Sequence, residues 1–383
     1  MTALAPVVLL LAATAAAAPK ELEAWRHQRT ITLDTTPAGA NVAGDVAGYP
    51  LAVSLTAADF DFAQAASDGR DLRFTTSDGA PLPHALERWD AAAKSALVWV
   101  KLDRVKGNDA AQSFRMYWGN AKADDAARSE AVFDVKDGFV AAWHLGEDGN
   151  VEADGYKDAT ANAAHGTGVN LEPGSAVAAR VGRGTQLRYP KQQWIKLENE
   201  KRKLFDLTDH VTFSIWARAD SYSNRGEDKS TPGYETMMAK GDNSWRLQMF
   251  GVPEWHKPPA HLLEICVEKK GPNGDLCVVG KTDMATGQWY HFVGVHDFPQ
   301  ARFYVNGVLE KVETFGDPWI SGDHPVGIGN QSQWPVKAGR FWDGALDEAR
   351  VLSVSKDEHW IKLDYESQRE GQKLVRLGPV QKR

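Results

Sequence analysis

The chain has 383 residues, 43% of them apolar and 25% charged, and a formal net charge of -7. That length exceeds one ordinary domain, the apolar-to-charged balance excludes wholesale disorder, and the acidic surface excludes a nucleic-acid partner, which needs basic patches. Fourteen Trp against six Met, with 34 Gly, favour β-sandwiches, where flat rings fill the space between sheets and Gly serves the turns.

Met1 to Ala18 carries no charge. Its apolar run Pro6–Leu11 leads into an Ala-rich stretch with small-x-small spacings at Ala13/Ala15 and Ala15/Ala17. This length reads as a signal peptide, residues 1–18, and is short for a transmembrane helix. An uncleaved anchor is the alternative, since no Lys or Arg precedes the run. No later segment is apolar enough to span a bilayer. The expected location is therefore the periplasm or cell envelope.

Residues 19–136 read as a small β-sandwich. Leu51, Val53 and Leu55 alternate with Ala52 and Ser54, the period of a half-buried strand. Ala96–Leu102 and Phe114–Trp118 read as further strands, separated by turn signals at Ser67-Asp68-Gly69, Ser77-Asp78-Gly79 and Gly119-Asn120. Asp68, Arg70, Asp71 and Arg73 form a dense charge cluster, read as Arg–carboxylate hydrogen bonding helped by Glu87 and Asp90. The charged, Ala-rich stretch Ala121–Glu130 is the expected linker.

Residues 137–383 read as a second all-β unit. Phe213, Ile215 and Ala217 alternate, as do Leu247 and Met249, and Asn306-Gly307 after Phe303-Tyr304-Val305 is a strong hairpin signal. Cys266 and Cys277 flank a turn-rich centre at Gly271 and Pro272. If the chain folds back there, the two face each other across a hairpin, and a disulfide is plausible in an oxidising compartment. Two buried free thiols are the alternative. Near the end, Ser355 and Glu358 have capping-box spacing, which predicts a short helix that packs Trp360, Ile361 and Tyr365 on the sandwich.

Four blocks give the second unit a resemblance to a laminin-G-like, concanavalin A-like jelly roll. They are Val211–Trp216; Gly287–Phe292 with Phe303–Gly307; Val326–Gly329; and Phe341–Val351. The first unit resembles a domain of unknown function found in bacterial envelope proteins, some fused to MotA/TolQ/ExbB-type proton channels. Trp25, Asp68–Phe74, Trp89, Trp99 and Met116–Asn120 carry that resemblance. Together they imply an all-β chain that works beside a TonB/ExbB/TolQ-like envelope complex as a binding or scaffolding protein. The jelly-roll resemblance also implies one structural calcium ion, with Asp158, Asn162 and Asp347 as its oxygen ligands; the competing reading is that these residues cap turns.

Catalysis is not expected. Glycoside hydrolysis needs two carboxylates facing one cleft. The nearest approach is Glu264 and Glu268, with Cys266 on the same face and no Asp between. Asp347 and Glu348 are adjacent, so strand alternation sends them to opposite faces. His291 and His296 are five apart and likewise diverge, and His144 reads as a structural hydrogen-bonding group. The expectation is that carboxylates and imidazoles are dispersed. For a carbohydrate-binding lectin, the alternative function, the useful residues are Tyr234, Trp255, Trp319 and Trp334 as stacking rings, with Asn330 and Gln331 as amides that read hydroxyls.

Overall fold

The computed structural model describes residues 20–222, 234–242, 244–249, 262–268, 275–316, 319–333 and 339–383. Among them the strands form four antiparallel sheets, two in each sandwich. In the first sandwich, His27–Leu33 lies beside Ser113–Trp118, which pairs with Arg73–Thr76. Facing it is a sheet of Val46–Thr56, Ser95–Val105 and His84–Asp90. Alternation along these strands supplies Ile31, Leu33, Leu51, Val53, Phe74, Val98, Phe114 and Met116 to one apolar core.

The charge cluster does not form an Arg–carboxylate web. Asp71 is buried and accepts from the backbone N–H groups of Ala66, Gly119 and Asn120. Arg73 donates to the carbonyls of Arg70, Leu72 and Asp124 and lies over the Trp25 ring. Arg70 with Asp68 is the one expected pair that forms, at 2.9 Å. Loop carbonyls and amides outcompete the side-chain pairs here because each would otherwise be an unsatisfied backbone group.

The second unit is a jelly roll. Its first sheet has eight strands, with His210–Ala219 between Tyr290–Asp297 and Gly344–Leu352 at its centre. The facing sheet has seven, running from Asp275–Val279 through Leu263–Glu268, Trp245–Met249 and Glu235–Ala239 to Gly327–Ile328, Trp194–Leu197 and Gly166–Val169. Val211, Phe213, Ile215 and Ala217 point into the space between them and share a core with Leu247, Ile265, Val267 and Ile328. Cys266 and Cys277 sit directly opposite on neighbouring strands and are joined by a disulfide.

Thr212, Ser214 and Trp216 point out of that core yet are buried. The segment leading into the helix Glu358–Gln368 bonds Thr212, and the helix covers Ser214 and Trp216. Its N-cap is Asp357, whose carboxylate accepts from the Trp360 N–H at 2.8 Å, while Ser355 donates to the His296 carbonyl. The capping box is thus displaced, because Glu358 is already the first helical residue and Asp357 adds a favourable charge at the helix N-terminus. Trp360, Ile361 and Leu363 join the apolar core of the first sandwich. Tyr365 stacks on Trp216, and Gln368 accepts from the Trp216 indole at 2.7 Å. The helix is therefore a wedge between the two sandwiches. Burial of Ile361 and Leu363 contributes about 1.5–3 kcal/mol each.

The boundary expected at residue 383 for the second unit needs correction. Val375–Leu377 and Gln381–Lys382 leave the jelly roll and pair with His27–Leu33 of the first sandwich. They do so because that strand otherwise presents an unpaired edge.

Candidate functional site

The seven-stranded sheet turns Leu247, Ile265 and Val267 toward the core. Alternation therefore places Arg246, Gln248, Glu264 and Cys266 on its other face, with Gln248 opposite Glu264 and Arg246 opposite Cys266. The polar residues form one network. Gln248 Nε2 donates to Glu264 Oε1 at 2.7 Å; Arg340 Nη1 donates to Gln248 Oε1 at 3.1 Å and to Asp242 Oδ1 at 2.9 Å. Arg246 Nε lies 3.4 Å from the same Asp242 oxygen. The Arg340 guanidinium sits 4.5 Å over the Tyr234 ring. Burial lowers its pKa from the ordinary arginine value, and Asp242 opposes that. Just past Gly327–Ile328, Asn330 and Gln331 are fully buried, and none of their amide atoms has a hydrogen-bond partner among the described residues.

Of the expected sugar-binding residues, Tyr234 belongs to this face and Asn330 to the turn beside it. Trp319 is buried and stacked on His296, with ring centroids 3.5 Å apart, so it packs the sandwich instead of offering a face to a ligand. Trp255 and Trp334 lie outside the described residues. Asp242, Arg246, Gln248 and Arg340 were not singled out from sequence; the signal for two of them is their alternation with Trp245, Leu247 and Met249. Glu264, half of the glycosidase alternative, is buried against Gln248 on the face that carries the disulfide.

The three expected calcium ligands serve different partners. The Asp158 carboxylate accepts from the N–H groups of Ala142, Thr160 and Ala164 and from the Thr160 hydroxyl, all at 2.8–3.0 Å, a turn-capping arrangement. Asn162 donates to the Val140 carbonyl, and Asp347 accepts from the Val181 N–H at 2.7 Å.

The interface between the sandwiches corrects the expectation of dispersed ionisable groups. Glu348 has φ 49°, next to a register shift in the pairing of its strand. This bulge breaks alternation, so Asp347 and Glu348 both stand near Glu87 of the first sandwich. Burial pushes the Asp347 carboxyl well above the usual carboxylate range, helped by the Glu348 charge. Burial also raises Glu87, to about 8. Burial alone would lower His144, but Glu348 and Glu87 outweigh it and lift it to about 9. His144 Nδ1 lies 2.7 Å from Glu348 Oε1 and 3.4 Å from Glu87 Oε2. Arg350, fully buried, donates to Glu348 Oε2 and Asp364 Oδ1 at 2.7 Å each, with its guanidinium over the rings of Trp99 and Phe133. His291 Nε2 lies 3.2 Å from Asp364, while His296 turns to Trp319, so those two imidazoles do diverge.

Residues 190–362 match a family model described as the concanavalin A-like lectin/glucanases superfamily, and residues 68–146 match a domain of unknown function (DUF2341). No curated protein matches the chain. Among solved structures it is similar to the binding domain of Paraclostridial Mosquitocidal Protein 1, at 14% identity over 61% of this chain and 53% of that one, with a TM-score of 0.44. It is also similar to domain 4 of AbnA, a GH43 extracellular arabinanase from Geobacillus stearothermophilus solved with arabinotriose, at 18% identity over 60% and 98% with a TM-score of 0.39. A third is the receptor binding domain of botulinum neurotoxin type G, at 11% identity over 60% and 51% with a TM-score of 0.40. The chain spans about half the length of the two toxin binding domains. The fold and the family model agree that this all-β chain contains a concanavalin A-like jelly-roll domain behind a smaller sandwich that matches the domain of unknown function.

Proposed function

We propose that the chain is a non-catalytic binding protein that takes a carbohydrate on the polar face of the seven-stranded sheet and the turn beside it. One observation carries the reading. Asn330 and Gln331 are buried with all their amide atoms unpartnered among the described residues; they follow Gly329, whose backbone bonds Met237 and Trp342, and the same sheet carries a connected array of guanidinium, carboxamide and carboxylate groups. An unsatisfied buried polar group costs about 1–3 kcal/mol, and sugar hydroxyls, which donate and accept, are a matching partner. The Glu264 carboxylate accepts from Gln248 Nε2 at 2.7 Å, a positioning contact of the kind that supports recognition.

The test is a glycan array followed by calorimetry on the full chain. We expect saturable binding to at least one oligosaccharide class, weakened tenfold or more in Asn330→Ala and Arg340→Ala. An array without hits, or affinity unmoved by both variants, overturns the reading. Export, expected from the N-terminal segment, is compatible with the cross-strand disulfide. Among the described residues no helix is long and apolar enough to cross a membrane. The TolQ/ExbB association implied by the first unit's resemblance attaches to no residue of this geometry.

A further inference from the structure

We propose that Glu87, His144 and Glu348 form a divalent metal site at the interface of the two sandwiches. Their ligand atoms, one imidazole nitrogen and two carboxylate oxygens, all lie within 4.8 Å of one another. They come from three elements: strand His84–Asp90 of the first sandwich, the residue after strand Phe139–Trp143, and the bulge of strand Gly344–Leu352. Glu87 and His144 line a cavity of about 510 Å³, together with Glu147, Lys157 and Arg183, and Glu348, its side chain only 2% exposed, pairs with His144. An ion held by the three would keep its remaining coordination positions on the cavity side.

Two further observations point to a cation. Each carboxylate is oriented by a donor: the Trp99 indole N–H donates at 2.6 Å to Glu87 Oε2, the oxygen that faces His144, and Arg350 donates to Glu348 Oε2, which leaves Oε1 toward His144. Such outer partners orient metal ligands. Second, Asp347 is fully buried beside these groups, and its Oδ1 has no hydrogen-bond partner among the described residues. Four carboxylates, Glu87, Asp347, Glu348 and Asp364, share this interior with the single guanidinium of Arg350 and the imidazoles of His144 and His291. A divalent ion would be liganded by the Glu87 and Glu348 oxygens and His144 Nδ1, and a proton shared by His144 Nδ1 and Glu348 Oε1 would leave to solvent. One nitrogen with two oxygens suits Zn²⁺, Co²⁺ or Mn²⁺ rather than a soft monovalent metal.

The test uses Co²⁺ as an optical probe on the full chain, freed of affinity tags and treated with a chelator. We expect visible d–d bands that saturate at one equivalent and disappear on addition of Zn²⁺. Glu87→Gln and His144→Gln abolish them. Trp99→Phe, which keeps the ligands and removes only the indole donor, weakens Co²⁺ binding by about 10–100-fold. His210→Gln, which changes an exposed imidazole–carboxylate pair elsewhere, leaves the titration unchanged. A wild-type chain without saturable bands overturns the site whatever the variants do. Bands that survive both Glu87→Gln and His144→Gln place the ion elsewhere and overturn it as well.

Discussion

Replacing Arg350 by Met removes the cation that ties the jelly roll, the wedge helix and the first sandwich together. The side chain is fully buried, makes two charge-assisted hydrogen bonds of 2.7 Å, to Glu348 and Asp364, and lies 5.0 Å from the centre of the Trp99 ring. Taking one partner from a buried ion pair costs about 3–5 kcal/mol, because the remaining charge stays desolvated. Here each carboxylate keeps another partner: Glu348 has His144, and Asp364 has Gln368 and His291. The loss therefore belongs at the lower end, about 3 kcal/mol. Met fills much of the same volume, so the cavity contribution is small. Arg350→Lys recovers only part of the loss, since an ammonium cannot fork to two carboxylates in fixed directions. Guanidinium melts read by Trp fluorescence measure the change, with Trp99 as a local reporter. A double-mutant cycle with Glu348→Gln isolates the pair, with about 1–3 kcal/mol of coupling expected. If Arg350→Met unfolds within 1 kcal/mol of wild type, or if the cycle is additive, the interface is held by apolar contacts alone and the reasoning fails.

Three other perturbations follow from the same structure. Deleting residues 375–383 strips both C-terminal strands from His27–Leu33, so the first sandwich should become protease-sensitive and aggregation-prone; a truncated chain as protease-resistant as wild type argues against a structural role for those strands. Cys266→Ala with Cys277→Ala opens a cross-link with a sequence separation of 11 and should lower stability by about 3 kcal/mol on the loop-entropy relation, read as a midpoint difference that vanishes under reductant. His84 is buried, and burial followed by the Arg73 charge lowers its pKa from 6.5 to about 4. The unfolded chain then takes up the proton first, so stability is lost as pH falls from about 6.5 to about 4, by roughly 3 kcal/mol in all; His84→Phe should flatten that limb of the midpoint-against-pH curve, and an unchanged slope would assign it to other groups.

Local patterns were legible in the sequence wherever one strand face is buried. Phe213, Ile215 and Ala217 are read correctly as one face because a single residue of slip would expose all three. Asn306-Gly307 forms the expected two-residue turn, with φ of 50° and 72°, values that Asn and Gly tolerate best. The cysteine pair follows from the same hairpin logic. On the polar sheet face, Tyr234 and Asn330 were found by type, whereas Arg340 was not. Its backbone carbonyl accepts from the Thr236 N–H, and no period in the sequence announces that contact.

The interface was illegible for a different reason. Alternation predicts that Asp347 and Glu348 diverge, and the rule holds only while the strand keeps its period. A positive φ at Glu348 breaks it, and nothing about a glutamate signals a left-handed residue. The helix Glu358–Gln368 misleads in the same way. Its Asp364, Ser367 and Gln368 are buried, although their polarity assigns them to solvent by the usual reading of a helical face. They can be buried because Trp216, Tyr49 and Arg350 supply hydrogen-bond partners from both sandwiches. A buried polar stripe of this kind cannot be inferred from one element, since each group is tolerable only in the presence of the others. What the chain does spell out is the need for a cover: Thr212, Ser214 and Trp216 make the outer face of a central strand too mixed to be core and too aromatic to be wet. The wedge helix answers that need, and by answering it brings two sandwiches close enough for Glu87, His144 and Glu348 to meet.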